Sequence, residues 1–235
     1  MFDFKGKKKA FAGAGAPPPP PGGGDEPPRF SGTLDVHTPD EALAALKSGN
    51  AAFCKGEGVI NRVSAKDFAE LQEGQKPFAI IVACADSRTP PTLLFNQGLG
   101  RLFIVRVAGN TVDRRGLASI VYAVKYLKAP LVVVLGHTGC GAVGLAQAVV
   151  EGRAELEPAL EEMVTPIIPA VLHVKARSHG GDITVASVEE NARHVANGLK
   201  TADTTIAAAL NSGALKIVAA VKDIKTGAVN FLDGA

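Results

Sequence analysis

Two cysteines and a histidine follow the ends of two apolar runs that are far apart in the sequence. Cys84 directly follows the apolar run 78–83, and His137 and Cys140 follow the apolar run 131–135. Both runs are short, rich in β-branched residues and free of polar alternation, which is typical of strands buried on both faces of a sheet. Ligands of open α/β sheets bind at the carboxyl ends of the strands. We therefore expect the three side chains to converge at that edge.

Two thiolates and one imidazole are the ligand set of a catalytic zinc site whose fourth position stays open for water or substrate. Asp86 and Arg88 place an acid and a base in the loop of the first cysteine. The second loop carries glycines that keep side chains away from the metal position: Gly136, Gly139 and Gly141. The pattern predicts Zn²⁺ held by Cys84, His137 and Cys140, with a structural zinc, a redox thiol pair or coincidence as the remaining interpretations.

The composition does not suggest a nucleic-acid-binding, membrane or disulfide-rich protein. The 235 residues include 25 basic and 23 acidic side chains, a net charge of +2, and nothing in this balance suggests a nucleic-acid or membrane surface. No apolar run approaches the roughly 18 residues of a membrane span. Three cysteines form no even disulfide framework. If two of them bind metal, Cys54 is most simply a packing residue.

The first thirty residues differ from the rest. Pro17–Pro21 followed by Gly22–Gly24 are typical of a polyproline spacer and a flexible joint. We therefore predict a disordered tail over 1–30 and one catalytic domain over 31–235. The expected location is cytoplasmic, with a periplasmic or secreted protein as the alternative if the tail is a processed leader.

The order of elements predicts the fold. Thr38 to Glu41 has the pattern of a capping box that starts a helix, and Ser187 to Glu190 has the same pattern. Strands alternate with helical segments, and the last two strands form a hairpin; the predicted strands are 78–83, 102–107, 131–135, 215–221 and 228–232. We expect an α/β fold with a mostly parallel central sheet, an antiparallel edge strand and flanking helices.

The two metal-ligand motifs, Cys-x-Asp-x-Arg and Gly-His-x-x-Cys-Gly, resemble those of the β-class carbonic anhydrases. The resemblance covers about residues 38–233 and implies the same fold, a zinc cofactor and the reversible hydration of CO₂ to bicarbonate and a proton by zinc-bound hydroxide. Gln75 matches the family's substrate-side glutamine, and Phe103, Tyr122 and Gly141 match its substrate pocket.

The resemblance also implies roles for the loop residues. Asp86, kept ionised by Arg88, would accept a hydrogen bond from the hydroxide, and Gln75 would donate one to a substrate oxygen; in a closed state Asp86 becomes a fourth zinc ligand. On the residues alone, an Asp86–Arg88 pair is most often an ion pair that orders its loop. Some family members carry a tryptophan of an inhibitory bicarbonate site where this chain has Ile81, so that form of regulation is in doubt.

Two alternatives stay open beside carbonic anhydrase. A hydrolase of COS or CS₂ on the same scaffold would use the same metal ligands, and a non-catalytic, zinc-stabilised binding module would need a fourth permanent ligand. A cysteine esterase is weaker, because no base for the thiol is identifiable. The family further implies a homo-oligomer, either a dimer or a dimer of dimers, whose cleft is shared between subunits, with CO₂ and bicarbonate as small-molecule partners.

Overall fold

A five-stranded sheet forms the centre of the protein in the computed structural model, which describes residues 36–57, 65–72, 74–178, 180 and 182–232. The strands are β1 (Ala79–Ala83), β2 (Leu102–Arg106), β3 (Leu131–His137), β4 (Lys216–Lys222) and β5 (Val229–Leu232). Their order across the sheet is β2-β1-β3-β4-β5; the first four are parallel and β5 is antiparallel to β4. The predicted fold class is confirmed.

The apolar runs that predicted buried strands lie at the middle of this sheet. Every residue of β1 and β3 is buried, and the two strands are neighbours, with Ala83 in register with Leu135. β2 lies at the edge and is only partly covered; Ile104 is 37% exposed. The carboxyl ends of β1 and β3 are therefore adjacent, as the sequence predicted.

Helices cover both faces of the sheet. One face packs against the first helix through residues such as Leu46, and the other against the helices that carry Ile120, Val143 and Val188. The helices are α1 (Pro39–Cys54), α2 (Ala65–Leu71), α3 (Pro91–Leu94), α4 (Arg114–Lys125), α5 (Gly141–Val150), α6 (Pro158–Val164), α7 (Ile168–Arg177), α8 (Thr184–Thr201) and α9 (Thr204–Asn211), with 3₁₀ turns at Ala108–Asn110 and Thr165–Ile167. Burying apolar side chains on both faces is what stabilises a parallel sheet.

The capping box predicted at Thr38 is confirmed. The Thr38 hydroxyl accepts a hydrogen bond from the Glu41 backbone N–H at 3.2 Å, and the Glu41 carboxylate accepts one from the Thr38 N–H at 3.0 Å. The capping box predicted at Ser187 is wrong. α8 begins at Thr184, one turn earlier, because the Asp182 side chain already accepts a hydrogen bond from the Thr184 N–H.

Cys54, which the sequence predicted to be a packing residue, is instead exposed at the last position of α1. The predicted tail, residues 1–30, lies outside the described residues, so the domain boundary stays a prediction. Among the residues described, no helix is both long and apolar enough to cross a membrane.

Candidate metal centre and active site

The three predicted metal ligands come together at the carboxyl edge of the sheet. Cys84 directly follows β1, His137 is the last residue of β3, and Cys140 caps the N-terminus of α5. Their ligand atoms all lie within 4.8 Å of one another, and all three side chains are buried. The parallel pairing of β1 and β3 accounts for this convergence, because it brings the two loops to the same edge.

The protonation of His137 suits a metal ligand. Its Nδ1 lies 3.0 Å from the carbonyl oxygen of Thr138, which can only accept a hydrogen bond, so Nδ1 carries the proton and Nε2 presents a lone pair. Nε2 is buried and has no hydrogen-bond partner among the residues described. Buried polar atoms without a partner are rare and call for an explanation such as an ion. A metal bound at Nε2 would supply it.

The surroundings of the two thiols lower the pKa of one and raise the pKa of the other. The neighbouring Cys140 thiol lowers the pKa of Cys84, and the backbone N–H groups of Asp86 and Gly109 lower it further. The adjacent Cys84 and burial raise the pKa of Cys140. Metal ligation requires both thiols as thiolates, so binding of a cation here would release the proton of Cys140.

Backbone N–H groups support the Cys84 thiolate. Gly109 N–H donates to Sγ across 3.3 Å, and Asp86 N–H donates across 3.5 Å. Gly109 adopts a φ of 72°, and a Cβ at this position would lie 2.6 Å from a side-chain carbon of Ile167. Glycine is therefore required where the backbone approaches the sulfur. Two donors and a cysteine-histidine-cysteine set fit a thiolate-ligated zinc.

Asp86 and Arg88 form a bidentate ion pair. Arg88 Nε donates to Asp86 Oδ1 at 3.0 Å and Nη2 donates to Oδ2 at 2.7 Å, while the Arg88 backbone N–H donates to Oδ1 at 2.8 Å. These hydrogen bonds hold the pKa of Asp86 well below its usual range. Asp86 Oδ2 lies 3.8 Å from His137 Nε2. The ionised carboxylate thus faces the metal position.

Two further cations hold the loop of Cys84 by its carbonyl groups. Arg106 donates from Nε to the backbone carbonyl oxygen of Cys84 at 2.8 Å and from Nη2 to the backbone carbonyl oxygen of Asp86 at 2.5 Å. Lys222 Nζ donates to the Arg88 oxygen at 2.7 Å. No role for Lys222 was predicted from the sequence, although a charged residue directly after the apolar run 215–221 was a visible signal.

Three of the predicted substrate residues, Gln75, Phe103 and Tyr122, lie around β2 and the cleft beside it. The rings of Phe103 and Tyr122 contact each other with centroids 6.4 Å apart. Phe103 is in register with Ile80, which precedes Cys84 along β1 by about 13 Å at the usual rise per residue. Gln75 and Tyr122 line the same open cleft of about 490 Å³ together with Leu99. The chain thus brings Gln75 and Tyr122 together, with Phe103 beside Tyr122 and distant from its own metal ligands.

Gly141 is the one predicted pocket residue beside the metal ligands. It follows Cys140, opens α5 and is exposed; among the described residues, apart from its chain neighbours and its own helix backbone, no atom lies within 4 Å of the place where its Cβ would stand. A side chain at this position would extend into open space.

Comparisons with known proteins agree with this geometry. The carbonic anhydrase family profile matches residues 79–229. A carbonic anhydrase of Mycolicibacterium smegmatis is 35% identical over 197 residues, which are 82% of this chain and 93% of that protein. A β-carbonic anhydrase of Aspergillus fumigatus superposes with a TM-score of 0.64 at 28% identity, covering 83% of this chain and 91% of the other. A tetrameric β-carbonic anhydrase of Sordaria macrospora superposes with a TM-score of 0.63 at 25% identity, covering 79% and 94%.

Proposed function

The chain belongs to the β-carbonic anhydrase family, and from this we propose that it binds one Zn²⁺ through Cys84, His137 and Cys140 and hydrates CO₂ reversibly to bicarbonate and a proton. The observation that carries the proposal is the buried, unpartnered Nε2 of His137 beside two cysteine sulfurs and an ionised carboxylate. This arrangement leaves one side of the metal position free for a reactant, as catalytic zinc sites do.

Zinc bound here would lower the pKa of a coordinated water towards about 7, which makes a hydroxide nucleophile available near neutral pH. The protein ligands affect the acidity of this water through their charge. Two thiolates and a neutral imidazole balance the charge of the ion, so the field on the water is weaker than three imidazoles would leave it. The nearby residues therefore have to orient and stabilise the attacking oxygen.

Asp86 is the residue that orients the nucleophile. Because both its oxygens are engaged by Arg88, it stays ionised and can only accept hydrogen bonds. An attacking water or hydroxide that donates its hydrogen to Oδ2 points a lone pair at the substrate. Arg88 fixes the plane of the carboxylate by bidentate pairing, which a lysine could not do.

Gln75, Phe103 and Tyr122 bind the substrate from a partner subunit. The support is their position: the β2 edge and the neighbouring cleft expose a band of apolar side chains, and Phe103 lies far from the metal ligands of its own chain. The most exposed members of this band are Leu99, Ile104, Tyr122 and Tyr126. A dimer through this edge would cover the band and carry Gln75 to the partner's metal. A relative is tetrameric, which agrees with an oligomer.

The alternatives make different demands of the structure. A purely structural zinc closes with a fourth protein ligand, yet the described residues supply a three-residue metal group, and the nearest carboxylate, Asp86, is held by Arg88. A COS or CS₂ hydrolase would share the metal ligands and differ in turnover of the two substrates. Cytoplasmic location stays a proposal; three cysteines without disulfides, Cys54, Cys84 and Cys140, suit a reducing compartment.

The test combines metal analysis with stopped-flow CO₂ hydration on the purified full chain. We expect one zinc per chain and hydration that disappears when the ion is removed by a chelator and returns on adding zinc. COS and CS₂ are assayed in parallel. Zinc without CO₂ hydration would overturn the proposal, and faster turnover of COS or CS₂ than of CO₂ would replace it with the hydrolase.

A further inference from the structure

Lys222 is a buried cation that the reaction outlined above does not use. It is 6% exposed, although lysine is rarely buried this far without a specific partner. In the sheet it is in register with His137 of β3. Val218 and Ala220, at alternate positions of β4, pack in one cluster with Leu135, and the alternation of a strand directs Lys222 to that same face. Lys222 and His137 thus continue one face of the sheet at its carboxyl edge.

The ammonium of Lys222 is linked to Asp86 through the backbone of one residue, Arg88. Lys222 Nζ donates to the Arg88 carbonyl oxygen at 2.7 Å, and the N–H of the same residue donates to Asp86 Oδ1 at 2.8 Å. The Arg88 side chain is 55% exposed, so few protein contacts restrain it. Its position therefore depends on the hydrogen bonds that hold the Arg88 backbone. Lys222 therefore acts on the Asp86–Arg88 ion pair without touching the carboxylate.

The loop is anchored at both ends by different cations. Arg106 holds the carbonyls of Cys84 and Asp86, next to the first metal ligand. At the far end, the hydrogen bond described for the Arg88 carbonyl comes from Lys222. Loss of Lys222 would leave the Cys84 end in place and free the Arg88 end, so the expected consequence is a change in the ion pair rather than loss of the metal.

We propose that Lys222 is a positioning residue whose hydrogen bond to the Arg88 carbonyl holds the Arg88 backbone in place, so that Arg88 keeps Asp86 away from the metal and the fourth coordination position stays open. The inference deepens the proposed function and rests on it. Asp86 Oδ2 already lies 3.8 Å from His137 Nε2. A small rotation of the carboxylate, once Arg88 withdraws, would bring it onto an ion bound at that nitrogen.

A positioning role and a structural role make opposite predictions for stability. The charged or titratable groups near Lys222 are Asp86 and Arg88 of the loop, Asp223 next in the chain, and Cys54 of α1; burial is the main influence on the ammonium and lowers its pKa. Lys222→Met removes the cost of burying a charge but takes one hydrogen-bond donor from the Arg88 carbonyl, and these two effects oppose each other. We therefore expect little change in the melting temperature of Lys222→Met.

The experiment measures whether the fourth position is open. Co²⁺-substituted wild type, Lys222→Met and Lys216→Met are titrated with thiocyanate, followed by the visible absorption of the cobalt. Lys216 is the matched control, because it is an exposed lysine at the opposite end of β4, 3.1 Å from Asp40. We expect thiocyanate to bind Lys222→Met about tenfold more weakly than the other two proteins, with CO₂ hydration at neutral pH about tenfold slower in the zinc form.

A double variant identifies Asp86 as the competing group. With Asp86→Ala as background, Lys222→Met should no longer change thiocyanate affinity. Equal affinity in Lys222→Met and Lys216→Met would overturn the proposal, as would an effect that persists without Asp86. If Lys222→Met does not fold, Lys222→Leu, which also lacks a hydrogen-bond donor, is judged by the same criteria. If wild type binds cobalt but hydrates no CO₂, the proposed function fails, while the thiocyanate comparison still decides the role of Lys222.

Discussion

Asp86 Oδ2 lies 3.8 Å from His137 Nε2, while both oxygens of the carboxylate are held by Arg88. The carboxylate thus lies beside the nitrogen that would bind the metal, but its hydrogen bonds go to Arg88. This relationship separates the three metal ligands from the group that orients the reactant.

Removing any one metal ligand should abolish tight zinc binding. Cys84→Ala, His137→Ala and Cys140→Ala each leave two protein ligands, too few for a stable tetrahedral site. Cys54→Ala is the matched control, because Cys54 is an exposed free thiol outside the metal group. Zinc content is measured after dialysis against a chelator. Full zinc occupancy in any of the three ligand variants would contradict the assignment.

Asp86→Asn should keep zinc and lose most of its activity. The amide retains the size of the carboxylate but no longer pairs with Arg88 as an anion, and it can donate where Asp86 only accepts. Loss of one positioned acid-base group typically costs about 10²-fold to 10⁴-fold in rate. Zinc analysis and stopped-flow hydration are run on the same preparation. Wild-type turnover in a zinc-loaded Asp86→Asn protein would reduce Asp86 to a structural role.

Complementation between subunits should restore activity. Cys140→Ala lacks a metal site and Gln75→Ala lacks a substrate contact, so neither homo-oligomer is active. If Gln75 serves the partner's metal, a mixed dimer has one intact site, and random mixing of equal amounts recovers about a quarter of wild-type activity. The two variants are co-refolded and assayed together. Mixed dimers without recovered activity would mean that Gln75 acts within its own chain.

Activity should rise with pH between pH 6 and 9, through ionisation of the metal-bound water rather than of Asp86. The pKa of Asp86 is lowered by Arg88, and a carboxyl with a lowered pKa stabilises the fold above its unfolded value of about 3.9 and loses that contribution as pH falls through the folded value. Asp86 is therefore ionised throughout the assay range.

The expected profile is a smooth single titration, since Ile81 stands where some relatives have the tryptophan of an inhibitory site. Each pH unit below the apparent pKa costs about tenfold in hydroxide. The measurement is kcat/KM for CO₂ hydration at several pH values. A flat profile would remove water ionisation as the control, and a steep transition of several protons would indicate a cooperative switch.

Asn50→Ala should destabilise the fold without changing the metal ligands. The buried Asn50 side chain donates to the carbonyls of Leu94 and Gly227 at 3.1 and 3.0 Å and accepts from the Val229 N–H at 2.8 Å. Its loss leaves buried backbone groups unpaired, at a cost of about 3 kcal/mol in the free energy of unfolding. Asn211→Ala, at an exposed helix end, is the control in chemical denaturation. Equal stability of the two variants would contradict this role for Asn50.

The sequence determined the elements and the chemistry of the metal ligands. The runs at 78–83 and 131–135 are short, rich in β-branched residues and apolar throughout, which is the pattern of strands covered on both faces, and both form such strands. Parallel strands end at a common edge, so residues following the two runs had to meet, and the two motifs carried the family resemblance. Local spacing also sufficed for the Asp86–Arg88 pair, whose members share one loop.

Only the tertiary structure decided which residues support this arrangement from a distance. Arg106, Lys222 and Asn50 act through backbone atoms of segments far away in the chain, and such contacts leave no periodicity or motif in the sequence. Ser187 shows the limit of local patterns: its capping-box spacing was overridden by a helix that begins one turn earlier at Thr184. The distance of Phe103 from its own metal ligands likewise follows from the register of β2 on β1, which pairs it with Ile80 rather than with Cys84.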